Sequence, residues 1–476
     1  MREKSKWLAL FTILVALIII GIFTNKEVGI KNVDASILDI YNGDIDTNWG
    51  AFNTYDIDLE DSYTITKSGI YHFTGTIEDG SIVIDTDRRS SVKIILDNTS
   101  IKNSSGPAIN CYEADNLAIE FTGNNYLEDG DIYSEAFNED IEGVIYSKAD
   151  LSLSGDGIVT ITSNYKDAIV GKDDLVIRGG TYNVKAIDDA IRGKDSVHIT
   201  GGIFNITANG DGIKTTNNSL ASKGFVYIED GTINMSVGDD GIHAENYFII
   251  DSGKIEIAKS YEGLEGIKIT INGGDISIKS SDDSINAGNG TSESNTPRPD
   301  GMMDADEDCI LTINDGNIYI NASGDGIDSN GYVYINGGNI VVDGPINNGN
   351  GALDAGLGFI INGGKAIAVG SSGMAENFGN KSTINNVSVY LNESQESGTT
   401  IAIKDQHNNT IFSHTSAKSF SHIAAASDEF ALGNTYILYI DGKEYTQFSI
   451  NNTTTIVGNR TNGGPKNRQP ASNSYH

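Results

Sequence analysis

An acid-Gly-Ile type of triplet returns every 21 or 22 residues through the middle of this chain, and few folds can satisfy such a period. It reads Asp167-Ala-Ile, Asp189-Ala-Ile, Asp211-Gly-Ile, Asp240-Gly-Ile, Glu262-Gly-Leu, Asp283-Ser-Ile and Asp325-Gly-Ile, in steps of 22, 22, 29, 22, 21 and 42. The step of 29 is one period plus a polar insert near 217–223. The step of 42 is two periods, the extra length being a loop-like stretch at 287–308. Self-similarity at a fixed period of this size marks a solenoid, whose units bury their apolar faces only against one another.

A second register runs in phase with the first. Small-residue pairs recur at Gly179-Gly180, Gly201-Gly202, Asp230-Gly231, Ser252-Gly253, Gly273-Gly274, Asp315-Gly316, Gly337-Gly338 and Gly363-Gly364. Apolar residues keep fixed places around them. Ile177, Ile199, Ile228, Ile250, Ile271, Ile313, Ile335 and Ile361 precede the turn, and Tyr182, Phe204, Ile233, Ile255, Ile276, Ile318 and Ile340 follow it. Each unit is thus an alternating strand, a Gly turn, a second alternating strand and the acidic corner. No segment here sustains a helical apolar period, which excludes leucine-rich and ankyrin-type repeats. The expected fold is all-β: a right-handed parallel β-helix with inward columns of Ile and outward Thr, Asn, Lys and Asp.

Weaker strands at Ile82 to Ile84, Val92 to Leu96, Leu117 to Phe121 and Leu151 to Ser154 extend the pattern towards the N-terminus. After Ser382 the Gly turns stop. The segments Ile384 to Leu391, Thr400 to Ile403, Thr410 to Phe412, Tyr436 to Ile440 and Phe448 to Ile450 then read as a small β module. Such a module caps the open edge that the last unit of a solenoid presents. The expected organisation is 1–35 export segment, 36–381 β-helix, 382–456 C-terminal cap and 457–476 disordered tail.

Acids outnumber Lys and Arg 65 to 32, a formal net charge of −33. That surface disfavours nucleic acid and anionic membranes. It favours cations, neutral surfaces, or anionic polymers bridged by cations. Arg2, Lys4 and Lys6 precede an uncharged apolar run from Trp7 to Phe23, which reads as a signal peptide or an uncleaved membrane anchor. Val33-Asp34-Ala35 resembles a cleavage site. The body is therefore expected outside the cell, secreted or at its surface, as a monomer. Cys111 and Cys309, far apart in strand-like segments, are expected to be buried thiols rather than a bridge or a metal site.

Stacking one acid on the next has an electrostatic cost. Parallel strands lie about 4.8 Å apart, and two carboxylates at that distance repel by roughly 3–4 kcal/mol at an effective dielectric near 20. Asp188, Asp239 and Asp282 add a second acid just upstream of Asp189, Asp240 and Asp283. Solvent screening, protonation or a bound cation can relieve this, and calcium accepts such oxygen-rich surroundings. The candidate metal ligands are Asp188, Asp189, Asp211, Asp239, Asp240, Asp282, Asp283 and Asp325. The alternative is that each Asp caps turn backbone. Three residues past each corner acid stand Val170, Arg192, Lys214, His243, Glu265, Asn286 and Asp328, basic early and acidic late. Arg192 and Lys214 either neutralise the ladder or contact a ligand. Tyr227, Tyr319 and Tyr334 fall at outward strand positions and offer stacking rings, whereas Tyr182, Phe204, Phe248 and Phe359 face inward.

The phrases Ser68-Gly-Ile-Tyr-His-Phe-Thr-Gly-Thr-Ile, Leu96-Asp-Asn-Thr-Ser-Ile with Gly106-Pro-Ala-Ile, Asp189-Ala-Ile-Arg-Gly-Lys-Asp-Ser-Val, Gly210-Asp-Gly-Ile-Lys and Leu432-Gly-Asn-Thr-Tyr together resemble a bacterial family. Its members are secreted, pectate-lyase-like β-helix proteins described as carbohydrate-binding. The resemblance spans about Ser62 to Ile440. It implies bound calcium at the acidic corners, matched here by Asp189, Asp211, Asp240 and Asp283. It also implies affinity for plant cell-wall polysaccharide, cellulose or acidic pectin-type polymers. Glu262 and the acid-free Gly351-Ala-Leu corner depart from that pattern.

Three functions follow as alternatives. The first is calcium-dependent polysaccharide binding along an elongated face, with Lys214, Arg192, His243 and Tyr227 as sugar contacts. The second is a calcium-dependent lyase, whose base would be Lys214, Arg192 or Lys194. The third is a structural surface rod. The acidic insert at 287–308 leaves the same corner as the ladder, so it is either a free excursion or a cover over the ligand face.

Overall fold

The computed structural model of the protein describes residues 47–135, 137, 140–289 and 305–460. The expected export segment, most of the 287–308 insert and the end of the tail lie outside these residues. Within them the protein is all-β, with the 3-10 turn Trp49–Ala51 as the one helical element. No helix among the described residues is long and apolar enough to cross a membrane.

The periodic columns of the sequence are hydrogen-bonding partners in one large sheet, whose strands are parallel throughout its periodic part. Ile169 pairs with Ile191, and the row continues through Ile213, Ile242, Leu264, Ile285, Ile327 and Leu353. A second row runs Ile177, Ile199, Ile228, Ile250, Ile271, Ile313, Ile335, Ile361. A third begins Tyr182, Phe204, Ile233, Ile255, Ile276, Ile318 and Ile340. Every residue in these rows is at most 2% exposed. Like stacks on like because a one-residue slip would turn each apolar set to water. Full burial of each such side chain contributes about 1.5–3 kcal/mol.

The Gly turn is gentler than the sequence suggests. Asp174–Ala186 and Ser196–Ala208 each run as one strand straight through their glycines. Gly179 and Gly180 adopt φ of 87° and 90°, and the register shifts between Arg178 and Thr181. Glycine reaches this left-handed region without strain, so the strand bends while its pairing continues. A row of amides secures the turns further along. Asn272 donates to Asp251 Oδ1 at 2.6 Å, Asn314 to Asn272 at 2.7 Å, Asn336 to Asn314 at 2.8 Å and Asn362 to Asn336 at 2.9 Å.

Two features frame the periodic part. Near its start, the long connection after Asn124–Glu128 folds back, and Tyr133, Phe137 and Ile141 pack on Tyr146 and Val170. At its end, Phe420–Ser427 pairs antiparallel with Lys365–Gly370, the last of the regular strands, and with Asn386–Gln395. A separate four-stranded antiparallel sheet, Thr410–Thr415, Thr400–Asp405, Thr435–Ile440 and Lys443–Ser449, shares a second apolar cluster with these strands. The sequence does not single out Phe420–Ser427, whose Ala-rich run carries little strand signal. Cys111 and Cys309 are buried free thiols, as expected.

Candidate functional site

The acidic corner opens a three-residue strand in five repeats, Ile191–Gly193, Ile213–Thr215, Ile285–Ala287, Ile327–Ser329 and Leu353–Ala355, and leads into the longer Ile242–Ile250 and Leu264–Ile271 in two others. Of the first three residues in each, the outer ones point inward, so only the central one looks out. Register places those central residues in one row: Val170, Arg192, Lys214, His243, Glu265, Asn286, Asp328, Asp354. The corner acids lie directly beside this row.

Each ladder aspartate uses one oxygen in the same way. Asp167 Oδ1 accepts the backbone N–H of Asp189 at 3.1 Å, Asp189 that of Asp211 at 2.9 Å, Asp211 that of Asp240 at 2.8 Å and Asp240 that of Glu262 at 3.0 Å. Asp283 and Asp325 repeat the contact towards Asp325 and Gly351. Backbone capping, one of the two readings of the sequence, therefore occupies half of each carboxylate. The glycine before the corner makes room for that capped oxygen and for the acid upstream of it. A Cβ at Gly210 would lie 2.6 Å from both Asp188 and Asp189 carboxylates, and one at Gly324 would collide with Asp282 and Asp283.

The second oxygen distinguishes the two ends of the row. At the N-terminal end it meets a cation. Arg192 Nη2 lies 2.5 Å from Asp167 Oδ2 and donates to Glu142 Oε2 at 2.6 Å. Lys214 Nζ stands 2.6 Å from the buried Asp211 Oδ2, a contact of charges rather than an aligned hydrogen bond. His243 pairs with Glu265 and lies 3.5 Å from Asp240. Burial alone would lower the values of Lys214 and His243. Their acid neighbours outweigh it, raising Lys214 and bringing His243 to about 10, so both stay protonated.

At the C-terminal end the row turns acidic. One carboxylate oxygen from each of Asp325, Asp328 and Asp354 falls within 4.8 Å of the others. Burial, reinforced by neighbouring acids, raises Asp328 to about 8, Asp325 to about 7, Asp283 to about 6 and Glu262 to about 8. Among the described residues no Lys, Arg or His forms an ion pair with Asp325 or Asp328. The donors on this face are hard oxygens, carboxylates with the Asn286 amide beside them, and that set fits calcium rather than a softer metal.

The sequence-predicted residues divide accordingly. Asp188 joins Asp167 and Asp189 in a close trio, and Asp239 joins Asp211 and Asp240. Asp282 lies beside Asp283 at the Gly324 gap. Arg192 neutralises Asp167 and Glu142 rather than forming its ion pair with the ladder acid of its own repeat. Tyr227 is not an exposed platform. It is 8% exposed, stacks on His198 at 4.8 Å and donates its hydroxyl to Asp251 at 2.5 Å. An outward strand position does not ensure exposure when the preceding repeat offers a flat ring to cover it. Asp354 was missed, although it follows the acid-free corner by the same three-residue step as Asp328. Glu142 opens a weaker copy of the acidic corner, Glu142-Gly143-Val144, and pairs with Lys166 and Arg192.

A family model described as carbohydrate-binding domain-containing protein matches residues 59–297, half of the 476-residue chain. A carbohydrate-binding domain-containing protein of Acetivibrio thermocellus is 34% identical over 126 residues, covering 26% of this chain and 44% of the relative. The alignment thus spans less than half of that relative's length. A solved structure of a polysaccharide lyase-like protein from C. thermocellum, a gadolinium derivative, is 30% identical with a TM-score of 0.39, covering 46% of this chain and 92% of the other.

Proposed function

Because the chain belongs to the carbohydrate-binding domain-containing protein family, we propose that it binds an acidic polysaccharide of plant cell-wall type outside the cell, with calcium as the bridge. The observation that carries this reading is the change of sign along one outward row, from Arg192 and Lys214 to Asp328 and Asp354. Asp283, Asp325, Asp328 and Asp354 would hold the cation at the acidic end. When bound, it would supply the positive charge through which carboxylates of protein and sugar share one site. The protein's own part is to hold those oxygens together, each partly fixed by the backbone N–H of the next repeat.

Binding is favoured over cleavage on the state of the basic groups. A lyase needs a base that can lose a proton near neutrality. Lys214 is raised beside Asp211, and Arg192 is held by two acids. Pairing of each strand with its equivalent one repeat on supports a right-handed parallel β-helix as the winding, since parallel crossovers are right-handed in about 98% of cases. The basic-then-apolar segment 1–23 supports export.

The test is sedimentation of the full-length protein with polygalacturonate and with cellulose, in calcium and in chelator, together with an assay for unsaturated uronate products. Calcium-dependent capture without product is expected. Product formation lost in Lys214→Ala would replace binding by lyase chemistry. No capture by either polymer would refute the reading.

A further inference from the structure

One part of this acidic surface is basic. Lys148, Lys172 and Lys194 follow directly on the short outward-facing strands of three consecutive repeats. Their backbone N–H groups donate to Cys111 O at 3.1 Å, Ser147 O at 2.8 Å and Gly171 O at 2.9 Å, which sets the three lysines one above another. Together with Asp140, Tyr146 and Thr216 they line a hollow of about 510 Å³. In a chain of net charge −33, ammonium groups should find acids close by. Acids do stand nearby, yet among the described residues none of the three lysines forms an ion pair. The adjacent acids Asp173 and Asp195 take Lys223 instead.

A second observation at the same hollow points to a ligand. Tyr146 is fully buried and belongs to the wall, and its hydroxyl has no hydrogen-bond partner. A buried hydroxyl left unpaired is disfavoured, and a ligand oxygen reaching it would relieve that. Asp140, from the connection that packs over Tyr146, is the acid of the lining, so a single small anion gains less here than a polymer that meets all three lysines.

We propose that the Lys148, Lys172 and Lys194 row is a second subsite, for consecutive carboxylates of a polyuronate chain, with the Tyr146 hydroxyl donating to one ligand oxygen. Three like charges at one-repeat intervals match a ligand whose own charges recur along its length. Lysine suits this task as a mobile point charge with three donors. The subsite deepens the polysaccharide-binding reading and rests on it. It supplies the attraction that a calcium bridge at the far, acidic end of the neighbouring row does not.

The experiment compares the full-length wild-type protein with Lys148→Gln/Lys172→Gln/Lys194→Gln, titrated with polygalacturonate and with its carboxyl-reduced, neutral form, both in calcium. The triple variant is expected to bind polygalacturonate about tenfold more weakly or worse, with a shallower salt dependence. Its affinity for the neutral polymer should not change. Tyr146→Phe, which keeps the ring packing, is expected to lose about threefold on the charged polymer alone. Unchanged polygalacturonate affinity in both variants overturns the subsite while leaving the wild-type reading intact. Equal losses on both polymers overturn it too. A wild-type protein that ignores polygalacturonate overturns both the subsite and the reading beneath it.

Discussion

Asp328 concentrates the chemistry of the acidic end in one side chain. Burial and the charges of Asp283, Asp325 and Asp354 lift it to about 8, so in the absence of a cation it competes with its neighbours for protons. Asp328→Asn keeps the shape and removes the charge. In chelator this variant is expected to be more stable by about 1–2 kcal/mol, because a repelled, half-buried carboxylate has gone. In calcium the order reverses, and the ion should bind about tenfold more weakly or worse for want of one hard ligand. Thermal melts with and without calcium check both statements. A variant equally stabilised in the two conditions would show that Asp328 never meets the ion.

At the scale of the strand and its turn, glycine positions are not equivalent. Gly274 has φ of 100°, and a Cβ there would sit 2.8 Å from Gly253 O. Gly274→Ala is expected to destabilise by about 1–3 kcal/mol. Gly201, one of the paired glycines of an earlier turn, has nothing within 4 Å of the added atom and no left-handed φ. Gly201→Ala should fall within about 0.5 kcal/mol of wild type, and denaturant melts of the two check that strain and crowding together set the cost at Gly274. The strand columns were legible because every Ile of the period had to face inward, and pairing follows from that. Less regular parts were not. The connection over Tyr146 falls where the spacing between paired strands widens, with Leu117 meeting Leu151, so no periodic signal announces Tyr133 or Phe137. The acidic corners were legible as a ladder, but not as half-capped carboxylates, because which oxygen meets the backbone depends on the next repeat. Lys172 and Lys194 carry a readable phrase, Gly-Lys-Asp at 171 and 193. Its meaning needs the paired and unpaired charges around it.

The whole molecule should titrate in an unusual sense. Glu262, Asp283, Asp325 and Asp328 hold protons in the folded state at pH values where the unfolded chain has released them. Each therefore destabilises the fold as pH rises between about 4 and 8. Asp240 and Asp343 are held low, so their contribution is complete above the ordinary carboxylate range and changes little in that window. In chelator the protein is expected to melt at a lower temperature at pH 8 than at pH 5, and the increment from added calcium should widen over the same interval. Melting temperatures unaffected by either variable would remove the case for a cation.

The row that begins with Arg192 and ends with Asp354 has one further consequence. A surface whose charge reverses from one end to the other is a vector, and glycan chains are vectors too, with a reducing and a non-reducing terminus. The two ways of laying such a strand along the row are different complexes with different energies, so a filament held there has a preferred heading.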